Sequence, residues 1–416
     1  MLRAASLLVA VAAAARPYCK EPHADHLQAH RVPTDYRLAL LGIYYNDVEG
    51  EDRPTEADLR AWYHNDAAVA YLEEVSDGCL DDMTVEFFVA ENGIGHGLGA
   101  GCDEDNFFKD TYIAAPTNGG GRVFNASDYD GIVVVPLGYC TTGAWSGSIA
   151  LNVDETKEEF KGVYMGRDLG EPGWRSAEDG DGASLASTYM HELFHMMGAQ
   201  YHATGLVCHE PERDFQDLLH RCADTNYGDF YDVMGSGNGF APNLQAAIRY
   251  DMGWMGKDDV EFVETSGEYA IYPLNGGPGS HNRTDPKKRA LFFATGPGVP
   301  VHLTLEWRTH HDAPGVNPDV LERNPGFFVR SGTALVDADV ASCEPFGDDE
   351  KLRTTLLPDA ALVLHMDGTV VKANKEGPRD DGTMAVEIRF TGERQECHRG
   401  LPAMHTGSLQ RRRLFT

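Results

Sequence analysis

The run Gly131–Leu137 (GIVVVPL) contains no charged residue and no side chain able to form a hydrogen bond. A strand of this kind is buried on both faces, so the fold must cover a sheet from two sides. Nearby segments supply partners. Tyr36–Val48 (YRLALLGIYYNDV) reads as a buried strand ending in an Asn-Asp and Glu-Gly turn, and Met83–Ala90 (MTVEFFVA) as another. Ser146–Val153 (SGSIALNV) has the alternation of an edge strand. Between the first two, Thr55 is placed to cap a helix with Leu59, Trp62, Tyr63, Ala67 and Ala70 on one face. Asp66 interrupts that face, and Gly78 stops the helix.

A second helix begins at Ser184–Leu185 and runs through the 190s, after a Gly/Asp-rich loop over 170–182. Residues 203–229 read as irregular and polar, and Asn243–Trp254 as helical. Beyond Lys257 the texture changes to short apolar stretches (269–274, 290–294, 301–307, 384–390) between Gly, Pro and Asp turns, the pattern of an all-β region. The expected fold is therefore α/β (α+β) in the first part and sandwich-like in the second. The expected divisions are 1–15, 16–256, 257–400 and a tail over 401–416.

Length permits this: 416 residues suffice for two domains, each with its own core. With 35 Lys+Arg against 65 Asp+Glu, the net charge is −30, which argues against nucleic acid or an anionic membrane surface as partner. The acidity does not signal disorder, because 42% of residues are hydrophobic.

Residues 1–15 read as a secretory signal peptide: Arg3, a short apolar run from Leu7 to Val11, then Ala13–Ala15 as a cleavage pattern. The run is far shorter than the roughly 20 residues a membrane span needs. Secretion fits the eight cysteines, all beyond residue 15, an even set expected to form disulfides. Cys208 with Cys222 and Cys343 with Cys397 are the expected pairs. Asn125-Ala126-Ser127 and Asn282-Arg283-Thr284 are sequons suited to a secreted glycoprotein.

The chemistry concentrates in Tyr189-Met-His191-Glu192-Leu-Phe-His195-Met-Met-Gly198-Ala-Gln-Tyr201-His202. Four residues apart on a helix, His191 and His195 project from one face and can bind one Zn²⁺ at about 2.0–2.1 Å. Glu192 lies beside them as a general base, accepting a proton from water and passing it to the leaving amine of a peptide. Gly198 supplies the sharp turn that ends the helix, and His202 follows it.

Together with Tyr231-Asp232-Val233-Met234-Gly235-Ser236-Gly237 downstream, this segment resembles the metzincin clan, and within it the gametolysin family of secreted zinc endopeptidases. The clan pattern is HExxHxxGxxH followed by a methionine-containing turn. Residues 129–152, Tyr227-Gly228-Asp229 and Gly253-Trp254 are similar in style to the family. The resemblance implies His191, His195 and His202 as metal ligands, Glu192 as catalytic base, and Met234, in a subdomain over 203–256, as an apolar floor under the histidines. It also implies peptide substrates pairing with the strand near 148–152, and extracellular matrix or cell-wall proteins as the substrate class. A basic or glycosylated protein substrate would suit the acidic chain. The sequence carries no signal for oligomeric state.

Two departures from the family matter. Its third ligand stands three residues after the glycine, which is Tyr201 here, so either the turn carries an extra residue and His202 reaches the metal, or another group such as His209, Glu210 or the Tyr201 oxygen does. Where several metzincins carry a tyrosine two residues after the methionine, this chain has Ser236. A catalytically inactive extracellular binding or adhesion module is the alternative that the displaced histidine suggests, and a zinc deacetylase or amidase is another.

Relatives can be held latent by a propeptide cysteine, which Cys19 resembles faintly. Pairing in a disulfide is the favoured reading, because only about 20 residues separate the signal peptide from the first strand. The segment Gly95–Ala100 (GHGLGA) matches a dinucleotide pattern but opens no helix, and Asp103-Glu104-Asp105 would repel a pyrophosphate. Asp179-Gly-Asp181-Gly lacks the spacing of a full Ca²⁺ loop and reads as a solvated turn.

Overall fold

The computed structural model of the protein describes residues 18–22, 30–44, 53, 55–93, 116–137, 144–153, 156–165, 185–207, 223–225, 227, 229, 232–235, 243–274, 288–293, 303–308, 326–331, 334–335, 361–364, 369–373, 379 and 382–390. The expected signal peptide, the Gly95–Ala100 loop, the Asp179 turn, the Asn282 sequon and the pairs Cys208–Cys222 and Cys343–Cys397 lie outside these residues.

The apolar segments form one sheet. Its strands are β1 (Arg37–Tyr44), β2 (Thr84–Val89), β3 (Gly131–Leu137), β4 (Ala144–Val153) and β5 (Thr156–Met165), in the order β2-β1-β3-β5-β4. The β2, β1, β3 and β5 neighbours pair in parallel, and β4 runs antiparallel to β5 at the edge. As its composition demands, β3 is central and buried from Ile132 to Val135.

Side chains on alternate positions go to opposite faces. Leu38, Leu40, Val133 and Val135 join a core with residues of three helices: α1 (Glu56–Tyr63), α2 (Asp66–Val75) and α3 (Leu185–Met197). Elsewhere, Phe88 packs edge-on against Phe124 and Tyr129, with ring centroids 5.5 and 5.9 Å away.

The helix expected from Thr55 onward is in fact two. Thr55 and Asp58 form a reciprocal capping box at the start of α1. After Tyr63 the chain leaves the helix, and the Asn65 side chain restarts it by accepting from the Ala68 amide at 3.0 Å. The interruption falls where Asp66 broke the apolar face. Cys19 is bonded to Cys79, tying the segment at residues 18–22 to the end of α2.

Residues 203–229, expected to be irregular, contain two short strands, β6 (Thr204–Val207) and β7 (Ala223–Thr225). Strands this short carry no legible period, and they exist by pairing with remote chain. They belong to a seven-stranded sheet, β7-β6-β13-β12-β11-β10-β8. Its other members are β8 (Val260–Phe262), β10 (Ala290–Phe293), β11 (Leu303–Arg308), β12 (Gly326–Ser331) and β13 (Ala334–Leu335).

A four-stranded antiparallel sheet, β14-β15-β16-β9, is formed by β9 (Gly267–Ile271), β14 (Ala361–Leu364), β15 (Thr369–Ala373) and β16 (Met384–Phe390). All regular elements after residue 257 are strands among the described residues. The larger sheet, however, takes strands from both sides of residue 257. The helix expected over 243–254 is α4 (Ala246–Asp251), shorter than its pattern.

Candidate metal centre

The long helix α3 lies alongside β4 and β5. Tyr189, Met190, Leu193, Phe194 and Met197 are buried in the core, while His191, Glu192 and His195 come from the remaining positions, with only His191 as little as 7% exposed.

Its end is built by Gly198, at φ 131°. The Gly198 amide bonds to the His195 carbonyl at 3.0 Å and the Ala199 amide to the Phe194 carbonyl at 2.8 Å, the paired bonds of a Schellman end. A side chain there would be strained by that φ, and its Cβ would lie 2.8 Å from the His30 Cβ.

Past this turn the chain brings His202 back. The ligating nitrogens of His191, His195 and His202 all lie within 4.8 Å of one another. The imidazoles of His191 and His202 are stacked with centroids 5.2 Å apart. Tyr201, the position of the third ligand in the family pattern, is instead 54% exposed. His209 and Glu210 lie outside the described residues.

The orientation of the two helical histidines is fixed from behind. Nδ1 of His191 donates to the Val233 carbonyl at 2.8 Å, and Nδ1 of His195 donates to the Ala199 carbonyl at 2.6 Å. With those nitrogens carrying the protons, each Nε2 presents a lone pair, and the two Nε2 atoms stand 3.1 Å apart. Two nitrogens bound tetrahedrally to one Zn²⁺ stand roughly 3.4 Å apart. The donor set therefore suits a metal ion. Burial pushes the His191 pKa down to about 4 and lowers that of His195 as well, keeping both neutral as ligation requires.

Burial also raises the Glu192 carboxyl, partly offset by a hydrogen bond with Ser146 of β4. Ser146 was not singled out from the sequence as a site residue. Neither was Tyr227, whose ring lies 4.0 Å from that of His202 and 5.5 Å from that of His191. Desolvation and then the Glu192 charge raise its phenol. Tyr227 is 39% exposed and sits at φ 62°, a conformation few non-glycine residues adopt. Ser236 lies outside the described residues.

The Val233 carbonyl is presented by a tight turn. Gly235 N bonds to the Asp232 carbonyl at 2.8 Å, and the buried Asp232 carboxylate accepts from the amides of Met234 and Gln245, both at 2.8 Å. Burial lifts the Asp232 pKa to about 6, opposed mainly by Arg308. The Met234 carbonyl accepts from Ala203 N at 2.8 Å, joining the turn to the residue after His202. The Met234 side chain is fully buried in the main core.

Gly235 is required by close approach: a Cβ would fall 1.8 Å from the Asp229 carbonyl oxygen. Gly235→Ala is thus expected to destabilise the protein by at least ~2 kcal/mol, because backbone must move. A denaturant midpoint indistinguishable from wild type would contradict that packing. Comparison with family models, with curated proteins and with solved structures finds no match to this chain.

Proposed function

We propose that the chain is a secreted zinc-dependent endopeptidase with a gametolysin-like metzincin fold, His191, His195 and His202 holding the metal. The observation that carries this reading is the nitrogen set itself: two Nε2 lone pairs 3.1 Å apart, both tautomers fixed by carbonyls, with His202 closing the group. When bound, zinc supplies Lewis-acid polarisation and acidifies water. Glu192 accepts the proton of the attacking water and delivers it to the leaving amine. Its burial-raised carboxyl suits both transfers.

The strand β4 forms one edge of its sheet and is paired only with β5 among the described residues. An extended peptide added along β4 would run beside the Glu192 carboxyl, which Ser146 of that strand already holds. The net charge of −30 favours basic substrates, and matrix or cell-wall proteins are the proposed class. The alternative of an inactive binding module rested on the displaced third histidine. His202 stands beside the other two, which supports a metal-holding site over one that lacks its third ligand.

The test is zinc content and cleavage of an unfolded protein by the purified chain, with and without chelator. One zinc per chain and chelator-sensitive cleavage are expected. Zinc without such cleavage would favour the binding module, and absence of zinc would remove the site.

A further inference from the structure

We infer that β11 and β12, more than 100 residues beyond His202 in sequence, hold the metal site in shape through Glu306, Arg308 and Arg330, which act as positioning residues for His191. The inference rests on the metal-binding reading above.

The connection can be followed atom by atom. Arg330 is ion-paired with Asp229, and its Nε donates to Glu306 Oε1 at 3.2 Å. Nε of Arg308 donates to the same oxygen at 2.8 Å, and its guanidinium also reaches the Asn243 carbonyl at 3.2 Å. The other Glu306 oxygen accepts from the Ala246 amide at 2.8 Å, at the start of α4. Across from this cluster, Asp229 presses its carbonyl against Gly235, and Asp232 organises the turn whose Val233 carbonyl receives the His191 proton.

Every charged group in this chain of contacts is at most 1% exposed. The carboxylates Asp229 and Glu306 are paired with Arg330 and Arg308, Asp232 accepts from two amides, and the neighbouring Arg249 donates to the Asn243 side chain. An uncompensated charge at such depth is strongly destabilising, so the arrangement has few alternatives once formed. Fixing Asp229 fixes the surface on which Gly235 packs. Fixing Gly235 in turn fixes the direction of the Val233 carbonyl, and so the tautomer and aim of the His191 ring. A supporting hydrogen bond of this kind is worth about 10–100-fold in metal affinity.

The experiment compares Arg330→Met and Arg330→Lys with wild type in the full chain. Folding is followed by near-ultraviolet circular dichroism, and Zn²⁺ affinity by competition with a chromophoric chelator. Folded Arg330→Met is expected to bind Zn²⁺ at least about tenfold more weakly, and Arg330→Lys to recover part of the loss. Val386→Ala, a core truncation in β16, provides the stability control and should lower the denaturant midpoint with Zn²⁺ affinity unchanged. Because Arg330→Met leaves Asp229 without that partner, a second measurement uses the wild-type protein alone: hydrogen exchange with and without Zn²⁺. Coupling is reciprocal, so the amides of 303–308 and 326–331 should gain protection when the metal binds. Unchanged affinity in folded Arg330→Met, or exchange in β11 and β12 indifferent to Zn²⁺, overturns the inference. A wild-type chain that takes up no Zn²⁺ is seen before any variant is made, and overturns the metal reading together with it.

Discussion

His202→Ala is expected to weaken Zn²⁺ binding by ~100-fold or more, while Tyr201→Ala leaves it unchanged. Loss of a direct ligand must exceed the about 10–100-fold cost of losing a supporting hydrogen bond. His202 alone of the two is grouped with His191 and His195, and its ring is braced by Tyr227 at 4.0 Å, whereas Tyr201 faces solvent. Chelator competition on the purified variants reads the difference directly. Weakened binding in Tyr201→Ala with intact binding in His202→Ala would reverse the assignment and restore the glycine-plus-three spacing. Neither change should cost much stability, since both side chains reach solvent.

That comparison marks the limit of what the sequence alone could give. His191, His195 and Gly198 were legible because helical geometry relates them locally: a four-residue spacing sets one face, and a glycine beyond it permits the positive φ. His202 was ambiguous because the path of a loop depends on what it packs against. Here that is the Met234 carbonyl, bonded to Ala203. Ser146, Tyr227 and the Val233 carbonyl lie in segments the sequence marked, but their roles at the site were not legible, because they reach the helix through tertiary contacts that leave no periodic trace. The buried charges of β11 and β12 were hidden for a related reason. Glu306 and Arg308 look like the exposed positions of an alternating strand, and only the opposite charges that meet them and Arg330 make their burial tolerable.

The fold divides in the same way. Strands β1 and β3 were visible as apolar runs because they lie inside the sheet, β2 through its Phe87-Phe88-Val89 run although it forms an edge, and β4 through its alternation. Strand β5 was not: Thr156–Lys161 (TKEEFK) is mostly polar, and its pairing with β4 is what makes it a strand. The break between α1 and α2 left a faint sign in Asp66, but the capping role of Asn65 was needed to turn a flawed apolar face into two helices.

Glu192→Gln is expected to abolish most cleavage, by about 10²–10⁴-fold in kcat, with Zn²⁺ content preserved. The amide matches the carboxyl in size and can still bond to Ser146, so the surroundings of α3 and β4 should persist. What it cannot do is accept the proton of water. Burial has already raised the Glu192 carboxyl, and the Ser146 hydroxyl opposes that rise by favouring the charged form. Removing this hydroxyl with Ser146→Ala should therefore impair cleavage less than Glu192→Gln, since the base survives and only its hydrogen bond is lost. Measured in parallel on one unfolded substrate, the two variants separate chemistry from positioning. Full activity in Glu192→Gln with zinc bound would exclude this carboxylate as the base. Loss of zinc in the same variant would instead mean that Glu192 helps to hold the metal, contrary to the role assigned to it.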